Sequence, residues 1–384
     1  MSDAQSAMAN PKRLKVALVC DWLTGTGGAE RVVLELHHLY PEAPIYTSQY
    51  NRNPKIWYGD KWFEDADVRT GWLQKLPKRL KKFLPLLRAI YFSRLKLDAY
   101  DLVISSSGAE AKYIKKLRDG AMHITYCHSP AHYYWQRYNE YQASPGFGLL
   151  NPLARLGLKV LSGPLRRWDY KAAQRPNYFV ANSRHTQSQI QKYYGRESTI
   201  IHPPVEVDRF SSHNQPAEKR HGLITAGRQT PYKRIDLAVA AATELNLPMI
   251  VVGTGPEHRR LKKMAGASVT FLSQVGDQRM AELFGGAKGF IFPTNVEDFG
   301  ITGVEAMAAG TPVIAYRQGG PADYIKPGKT GLFFDKQSTA SLVAAITKFN
   351  KINFNHATIA ASAKQFEPAK FRTGFEQFVD KVIK

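Results

Sequence analysis

Cysteines, long apolar runs and a secretory leader are scarce or missing in this sequence of 384 residues. No run of eighteen apolar residues occurs, so no segment is predicted to span a membrane as a helix. Residues 1–11 are polar and lack the apolar core of a signal peptide, and we expect them to be a disordered lead-in. The two cysteines, Cys20 and Cys127, lie in apolar strand-like runs, which favours free buried thiols in a reducing cytoplasm over a disulfide.

Acidic residues are absent from residues 68–97, in a chain whose formal net charge is +21. Within that stretch, residues 75–92 mix lysine and arginine with bulky apolar side chains, a mixture that suits an anionic lipid surface. The alternative is a solvated basic helix that covers part of the core. Nucleic acid is a poorer partner because no nucleic-acid-binding motif is present. The predicted membrane-contact residues are Lys78, Arg79, Lys81, Lys82, Phe83 and Leu84.

Apolar strand-like runs alternate with helical patterns in both halves of the chain, which is long enough for two domains. This alternation predicts an α/β fold with two doubly wound, Rossmann-like domains, which we place at residues 12–210 and 219–368. Residues 369–384 are amphipathic and predict a C-terminal helix that packs back on the first domain. Residues 142–167, rich in Gly, Pro, Leu and Arg, predict a partly helical lobe that is mobile or faces a membrane. The polar residues 211–220 are predicted to link the two domains.

Several candidate site residues follow predicted strands, where open α/β sheets bind their ligands. Gly27 and Gly28 lie between the strand at residues 14–20 and a helix, a setting that presents backbone N–H groups to a phosphate. Their spacing is not the GxGxxG of dinucleotide enzymes, and alone the loop is a weak signal. His128 ends the strand at residues 123–128, whereas His132 is expected on the surface.

Basic and acidic side chains follow strands of the second half. Arg228 and Lys233 come after the strand at residues 223–227, and a guanidinium fork with an ammonium group suits a diphosphate. Glu297 lies on a strand-to-helix loop and Glu305 on the helix that follows, where it shares a predicted core-facing stripe with Ile301 and Ala308. A carboxylate there costs several kcal/mol unless it is paired, and the hydroxyl groups of a ligand are one candidate partner.

Taken in this order, the two glutamates, the Gly227-Arg228 and Lys233 cations, the Gly27-Gly28 loop and His128 resemble the retaining glycosyltransferases of family 4, which have the two-domain GT-B architecture. The resemblance covers residues 14–315. His128-Ser129-Pro130 and residues 231–236 are most similar to bacterial mannosyltransferases that use GDP-mannose in polysaccharide assembly.

The resemblance implies a role for each residue. Arg228 and Lys233 would neutralise the donor diphosphate, and Glu297 would hold hydroxyls of the donor sugar. Glu305 would bind the ribose, and His128 would contact the sugar near its reacting carbon. The other implied donor-binding residues are Gly27, Gly28, Gly255, Val275, Phe299, Gly300, Ile301 and Thr302. Gly303 departs from the family, in which proline is frequent at this position.

The implied activity is transfer of a hexose to a glycan or polyprenyl-diphosphate-linked acceptor in cell-surface polysaccharide synthesis. The similarity to the mannosyltransferases implies mannose as the sugar and GDP-mannose as its donor. The enzyme would work at the inner face of the cytoplasmic membrane. It would need no cofactor and no metal, since no DxD motif ends a predicted strand. Alternatives are a UDP-sugar donor, another GT-B reaction such as that of an epimerase or phosphorylase, and a non-catalytic assembly scaffold with the same fold.

Overall fold

The computed structural model describes residues 14–53, 62–77, 84–115, 117–143 and 151–383, and it contains two parallel sheets. The first has seven strands in the order β3-β2-β1-β4-β5-β6-β7, and its four pairs from β3 to β5 are parallel. These strands are β1 (Val16–Cys20), β2 (Ile45–Thr47), β3 (Val68–Thr70), β4 (Leu102–Ser107), β5 (Met122–Cys127), β6 (Tyr178–Ala181) and β7 (Thr199–Ile200).

Six α-helices lie between or directly after these strands along the described part of the chain. Both faces of β1 and β4 are covered, since every residue of β4 and all but the first residue of β1 are buried. The helices are α1 (Gly28–Leu39), α2 (Leu84–Ser93), α3 (Tyr138–Ala143), α4 (Asn151–Ala173), α5 (Arg184–Tyr194) and α6 (Val207–Ser211).

The second sheet has six strands in the order β10-β9-β8-β11-β12-β13, and all five neighbouring pairs are parallel. Its strands are β8 (Leu223–Ala226), β9 (Met249–Val252), β10 (Val269–Leu272), β11 (Gly289–Phe292), β12 (Val313–Tyr316) and β13 (Gly331–Phe334). Its helices are α7 (Ile235–Glu244), α8 (His258–Met264), α9 (Asp277–Gly286), α10 (Ile301–Ala308), α11 (Thr339–Phe349), α12 (His356–Ala363) and α13 (Pro368–Ile383).

The predicted pair of doubly wound sheets is confirmed, and each sheet has one point where its strand order reverses. In the second sheet this point lies between β8 and β11, so the loops after these two strands border a crevice at the carboxyl edge. By their contacts, the residues divide into two units, one of residues up to Gly25 with Leu36–Val180, and one of Thr26–Glu35 with Ala181–Lys384. The predicted domain boundaries stay predictions.

Some element predictions were wrong at their ends. The strand predicted at residues 199–205 is only β7, because Pro203 and Pro204 have no N–H to donate to a ladder. The sequence predicts a helix from Val32 after the Gly27-Gly28 loop, but helix α1 begins earlier, at Gly28. Strand β3 was missed because it is short and largely exposed, and so shows no apolar alternation.

The segment predicted as a linker ends in a buried side chain. Arg220 is 1% exposed and donates to the carbonyls of Ala287 and Ala309, which follow the last residues of α9 and α10, at 3.0 and 2.7 Å. A cation suits this position because helix C-termini carry partial negative charge. Burial lowers the pKa of this guanidinium to about 10. Its remaining acceptors are Asn214, Gln215 and Thr311.

A buried histidine on β5 makes stability depend on pH. Burial lowers the pKa of His123 to about 3, with repulsion from Arg175 as the second cause. The unfolded chain takes up this proton near pH 6.5, so the stabilisation is complete above that pH and is lost as pH falls towards 3. We expect His123→Gln to make the decline in unfolding free energy below pH 6.5 shallower by up to about 1.4 kcal/mol per pH unit. Denaturant titrations across this range measure it, and identical slopes in both proteins would contradict the assignment.

Candidate active site

The loops after β8 and β11 bring two of the predicted site residues into contact. Lys233 Nζ lies 2.5 Å from Glu297 Oε2, and the two side chains are 17% and 20% exposed. Lys233 Nζ also lies 5.6 Å from the centroid of the Phe292 ring at the end of β11. The sequence placed each residue on its own loop, and the structure shows that they form one ion pair at the reversal of the strand order.

Local backbone contacts fix the lysine. Residues Pro231–Lys233 form a single turn of 3-10 helix, and Arg234 follows with φ of 49°, which ends that turn before α7. The N–H of Asn295 donates to the carbonyl of Tyr232 at 3.0 Å and ties this turn to the loop that carries Glu297. Lys233 is therefore held by backbone contacts on both loops.

The loop that carries Arg228 is held by a residue that the sequence reasoning missed. Gln229 is fully buried, donates through Nε2 to Gly253 at 2.6 Å and pairs with the ring of His258 at 2.7 Å. A Cβ at Gly255 would lie 2.4 Å from the carbonyl oxygen of Gln229, so glycine lets the two loops pack together. Arg228 itself is exposed and forms no ion pair with any described residue.

A pair of glycines after β12 supports the Glu297 loop. The N–H of Gly320 donates to the carbonyl of Glu297 at 2.7 Å. A Cβ at Gly319 would lie 2.5 Å from that same oxygen, and one at Gly320 would lie 2.3 Å from the Cα of Phe299. These glycines were not predicted, although the adjacent Gly-Gly pair just after a strand was a visible signal. They let the backbones of the two loops approach closely.

Helix α10 begins without a side-chain cap. Gly300 stands at its N-cap in the left-handed region, with φ of 86°, which only glycine adopts at little cost. Helices α5, α11 and α12 are instead capped by the side chains of Ser183, Ser338 and Asn355. The first N–H groups of α10 are thus not satisfied by a capping side chain, and the helix dipole favours an anion there.

Tyr324 explains why glycine, and not proline, stands at position 303. A Cβ at Gly303 would lie 2.2 Å from the Tyr324 hydroxyl, which donates to the carbonyl of Gly300 at 3.0 Å. The ring of Tyr324 is buried, so it has little room to move away. The absence of a side chain at Gly303 is therefore required by this tyrosine.

We expect Gly303→Ala to lower the free energy of unfolding by about 1–3 kcal/mol, because overpacking outweighs the better helix propensity of alanine. In a Tyr324→Phe background the hydroxyl is gone and the cost of Gly303→Ala should fall by at least about half. Urea unfolding of the four proteins measures this coupling. Equal costs in the two backgrounds would show that the Tyr324 hydroxyl is not the constraint.

Glu305 lies beside Arg31, which was not among the predicted residues. Arg31 Nη1 is 3.7 Å from Glu305 Oε1, and burial raises the pKa of Glu305 while Arg31 opposes the shift. The predicted core-facing stripe is confirmed in its main point, since Ala308 is buried, Ile301 packs against the core and the Glu305 side chain is 13% exposed. The deepest residues of α10 are Val304, Ala306 and Met307. Glu305 therefore lies at the edge of the core, with a cation as neighbour.

The remaining predicted donor residues differ in their surroundings. A Cβ at Gly28 would lie 2.5 Å from Ile301 Cδ1, and one at Gly27 would lie 2.6 Å from Glu30 Oε2. The ring of Phe299 is buried against His202, Tyr324 and Phe366, so only its backbone is available to a ligand. Val275 packs partly on the core and Thr302 is half-buried.

His128 lies in the first of the two units. Its Nε2 lies 2.7 Å from the Ser106 hydroxyl, and the histidine is half-buried at the carboxyl end of β5. The missed residue here is Asp21, which follows β1 and accepts the N–H groups of Gly108, Ala109 and Ala111 at 2.7–2.9 Å. Asp21 thereby fixes the loop after β4, beside the reversal of strand order in this sheet.

The predicted lipid-binding segment is described only in part. Lys78, Arg79, Lys81, Lys82 and Phe83 lie outside the described residues, as do residues 1–11. Leu84 is half-buried at the start of α2, which turns Arg88, Ala89, Tyr91 and Phe92 into the core. No helix among the described residues is long and apolar enough to cross a bilayer.

The two doubly wound parallel sheets have the GT-B class of fold. The lysine–glutamate pair lies on the loops at the strand-order reversal of the second sheet. A crystal structure of Anabaena Alr3699/HepE in complex with UDP-glucose shares this fold with a TM-score of 0.67 and 17% identity, over 96% of this chain and 100% of that chain.

Family models match both halves of the chain. Residues 26–209 match Glycosyltransferase Family 4 and residues 207–366 match Glycosyl transferases group 1. The chain therefore belongs to the family 4 glycosyltransferases, which confirms the resemblance seen in its motifs.

Curated relatives are similar over shorter stretches. The D-inositol 3-phosphate glycosyltransferase of Rhodococcus opacus (strain B4) is 28% identical over 213 residues, 48% of each chain. The GDP-mannose-dependent alpha-mannosyltransferase of Mycolicibacterium smegmatis (strain ATCC 700084 / mc(2)155) is 36% identical over 123 residues, 32% of each chain. This chain thus spans about half the length, or less, of the curated relatives it matches.

Proposed function

We propose that the protein is a retaining glycosyltransferase that moves a hexose from a nucleotide sugar to a glycan or lipid-linked acceptor. The observation that carries this proposal is the Lys233–Glu297 pair, 2.5 Å apart at the crevice of the second sheet. A cation beside a carboxylate suits a ligand that has both a diphosphate and sugar hydroxyls. Arg228 and the uncapped start of α10 add positive potential on the same edge of the sheet.

Charge governs the proposed reaction. The bond between the anomeric carbon and the diphosphate oxygen breaks, and negative charge builds on the departing diphosphate. Lys233, Arg228 and the N–H groups of α10 are already oriented towards that charge and stabilise it as it develops. The acceptor hydroxyl oxygen bonds to the anomeric carbon on the same face, and its proton passes to a diphosphate oxygen of the donor. The anomeric configuration is retained.

The two glutamates bind hydroxyls in this proposal and transfer no proton. Glu297 already accepts from Lys233, so its free lone pairs can accept from sugar hydroxyls while the pair persists. Glu305, beside Arg31, is assigned to the ribose. His128 is assigned to the sugar near its reacting carbon. No step requires a metal ion, and independence from metal stays a prediction.

GDP-mannose is the donor we favour. The Mycolicibacterium relative bears that donor in its name and is more identical to this chain than the inositol-phosphate enzyme, although over a shorter stretch. The UDP-glucose complex of the Anabaena structure keeps a UDP-sugar as the alternative. The acceptor is proposed to be polyprenyl-diphosphate-linked, at the cytoplasmic face of the membrane, in polysaccharide synthesis.

A panel of nucleotide sugars tests the proposal. We expect GDP-mannose to stabilise the protein by about 2.7 kcal/mol at one hundred times its dissociation constant, and to release GDP when acceptor is added. Equal stabilisation by a UDP-sugar, with UDP release, would replace the donor assignment and keep the enzyme. Absence of both stabilisation and nucleotide release for every donor would favour the non-catalytic scaffold and overturn the proposal.

A further inference from the structure

Helix α4 exposes a row of apolar side chains. Leu153, Leu156, Val160 and Leu161, which we call the α4 ridge, are 67%, 58%, 64% and 53% exposed. Their spacing places them on one side of the helix, over a little more than two turns. The fully buried residues among those described in this helix all belong to its C-terminal end, and they are Asp169, Ala172 and Ala173.

The surroundings of the ridge are open. A Cβ at Gly157 or Gly163, on the same side of the helix, would meet no described atom within 4 Å. Single exposed leucines are ordinary on protein surfaces, but four along one helix face form a contiguous apolar patch of the kind that marks an interaction site.

The exposed charged residues of α4 itself are all basic. Lys159, Arg167 and Lys171 are exposed on α4, and Arg167 and Lys171 continue the line of Val160 towards the C-terminus. Arg155 is exposed on the opposite side of the helix and donates to the carbonyls of Gln142 and Ala143. The one acidic residue of the helix, Asp169, is buried and lies 2.9 Å from Lys112 Nζ. The exposed surface of α4 is therefore apolar in its first half and carries only cations as charged groups of its own, whereas α3, which packs against α4, exposes Glu140.

We propose that the α4 ridge docks into the headgroup region of an anionic lipid bilayer. The leucines and the valine enter the boundary with the acyl chains, and the flanking cations bind lipid phosphates. A second copy of the chain fits this surface poorly, because it would bring two cationic faces of a +21 chain together.

The ridge is a different surface from residues 75–92, whose described helix, α2, turns four residues into the core. It is also independent of the donor chemistry, because lipid binding needs no nucleotide sugar.

Vesicle co-sedimentation of the full chain tests the ridge. We expect binding to phosphatidylcholine vesicles that contain phosphatidylglycerol, weaker binding without the anionic lipid, and weakening by salt. The variant Leu153→Ser/Leu156→Ser/Val160→Ser/Leu161→Ser, called the serine variant, should bind at least about tenfold more weakly. A control variant, Leu14→Ser with Tyr178→Ser, removes two exposed apolar side chains elsewhere and should bind like the wild type. Unchanged donor-induced thermal stabilisation shows that the ridge variant is folded.

A fluorescent reporter gives a second measurement. Cys20 and Cys127 are buried, so an environment-sensitive dye should label Leu156→Cys selectively. Its emission should shift to the blue on anionic vesicles.

Four results would overturn the proposal. The first is no vesicle binding by the wild type, and the second is vesicle binding by the serine variant as strong as that of the wild type. The third is binding that is lost only when Lys78, Arg79, Lys81 and Lys82 are changed to glutamate. The fourth is a wild-type dimer that the serine substitutions convert to a monomer.

Discussion

Lys233→Ala is expected to lower kcat/KM for sugar transfer by about 10²–10³, which corresponds to about 2.7–4 kcal/mol of transition-state stabilisation. Two effects combine in this loss. The departing diphosphate loses a cation that backbone contacts hold in place, and Glu297 loses the partner 2.5 Å away that orients it. The measurement is steady-state release of nucleoside diphosphate in the presence of acceptor.

A lysine at the other end of β11 provides the matched control. Lys288 is exposed and immediately precedes that strand, whereas the loop with Glu297 follows it. Lys288→Ala removes the same charge and should change kcat/KM less than about twofold. If Lys233→Ala retains activity within a few-fold of the wild type, or if both variants lose the same activity, the role assigned to Lys233 is wrong.

Arg220→Leu is expected to lower the free energy of unfolding by at least about 3 kcal/mol, since it leaves acceptors of five residues, three of them buried, without their charged donor. The melting temperature of the second unit should fall by about 6–12 °C. Arg220→Lys should recover only part of this loss, because one ammonium group cannot reach acceptors that the planar guanidinium spans. Differential scanning calorimetry measures all three proteins.

Arg317→Leu is the comparison for this loss. Arg317 is largely exposed and pairs with an exposed aspartate, so its removal should change stability by less than about 0.5 kcal/mol. A similar small change for Arg220→Leu would mean that the buried hydrogen bonds do not hold α9 and α10 to the segment before β8.

Much of the fold could be predicted from local patterns, because buried parallel strands are short apolar runs. The apolar runs at residues 45–47, 269–272 and 331–334 predict strands, and β2, β10 and β13 have these bounds. Helix α8 was not predicted because it has only seven residues, too few to show the apolar periodicity of a helix.

The sequence predicted the positions of single site residues but not the contacts that hold them. Arg228, Lys233 and Glu297 follow buried strands, which placed them at a carboxyl edge. The partners that fix them are distant in sequence, as when Tyr324 closes on Gly303 or when Asp21 accepts N–H groups almost ninety residues away. Periodicity shows that α4 has an apolar face, but it does not show whether that face meets the core or solvent.

The most direct test of the central claim, that Lys233 binds the diphosphate of the donor, is calorimetric titration of GDP into the wild type, Lys233→Ala and Lys288→Ala. Losing one charge-assisted contact should weaken binding to Lys233→Ala by about 1.5–3 kcal/mol, or roughly ten- to a hundredfold, and leave Lys288→Ala unchanged. A Lys233→Ala protein that binds GDP as tightly as the wild type would contradict the claim.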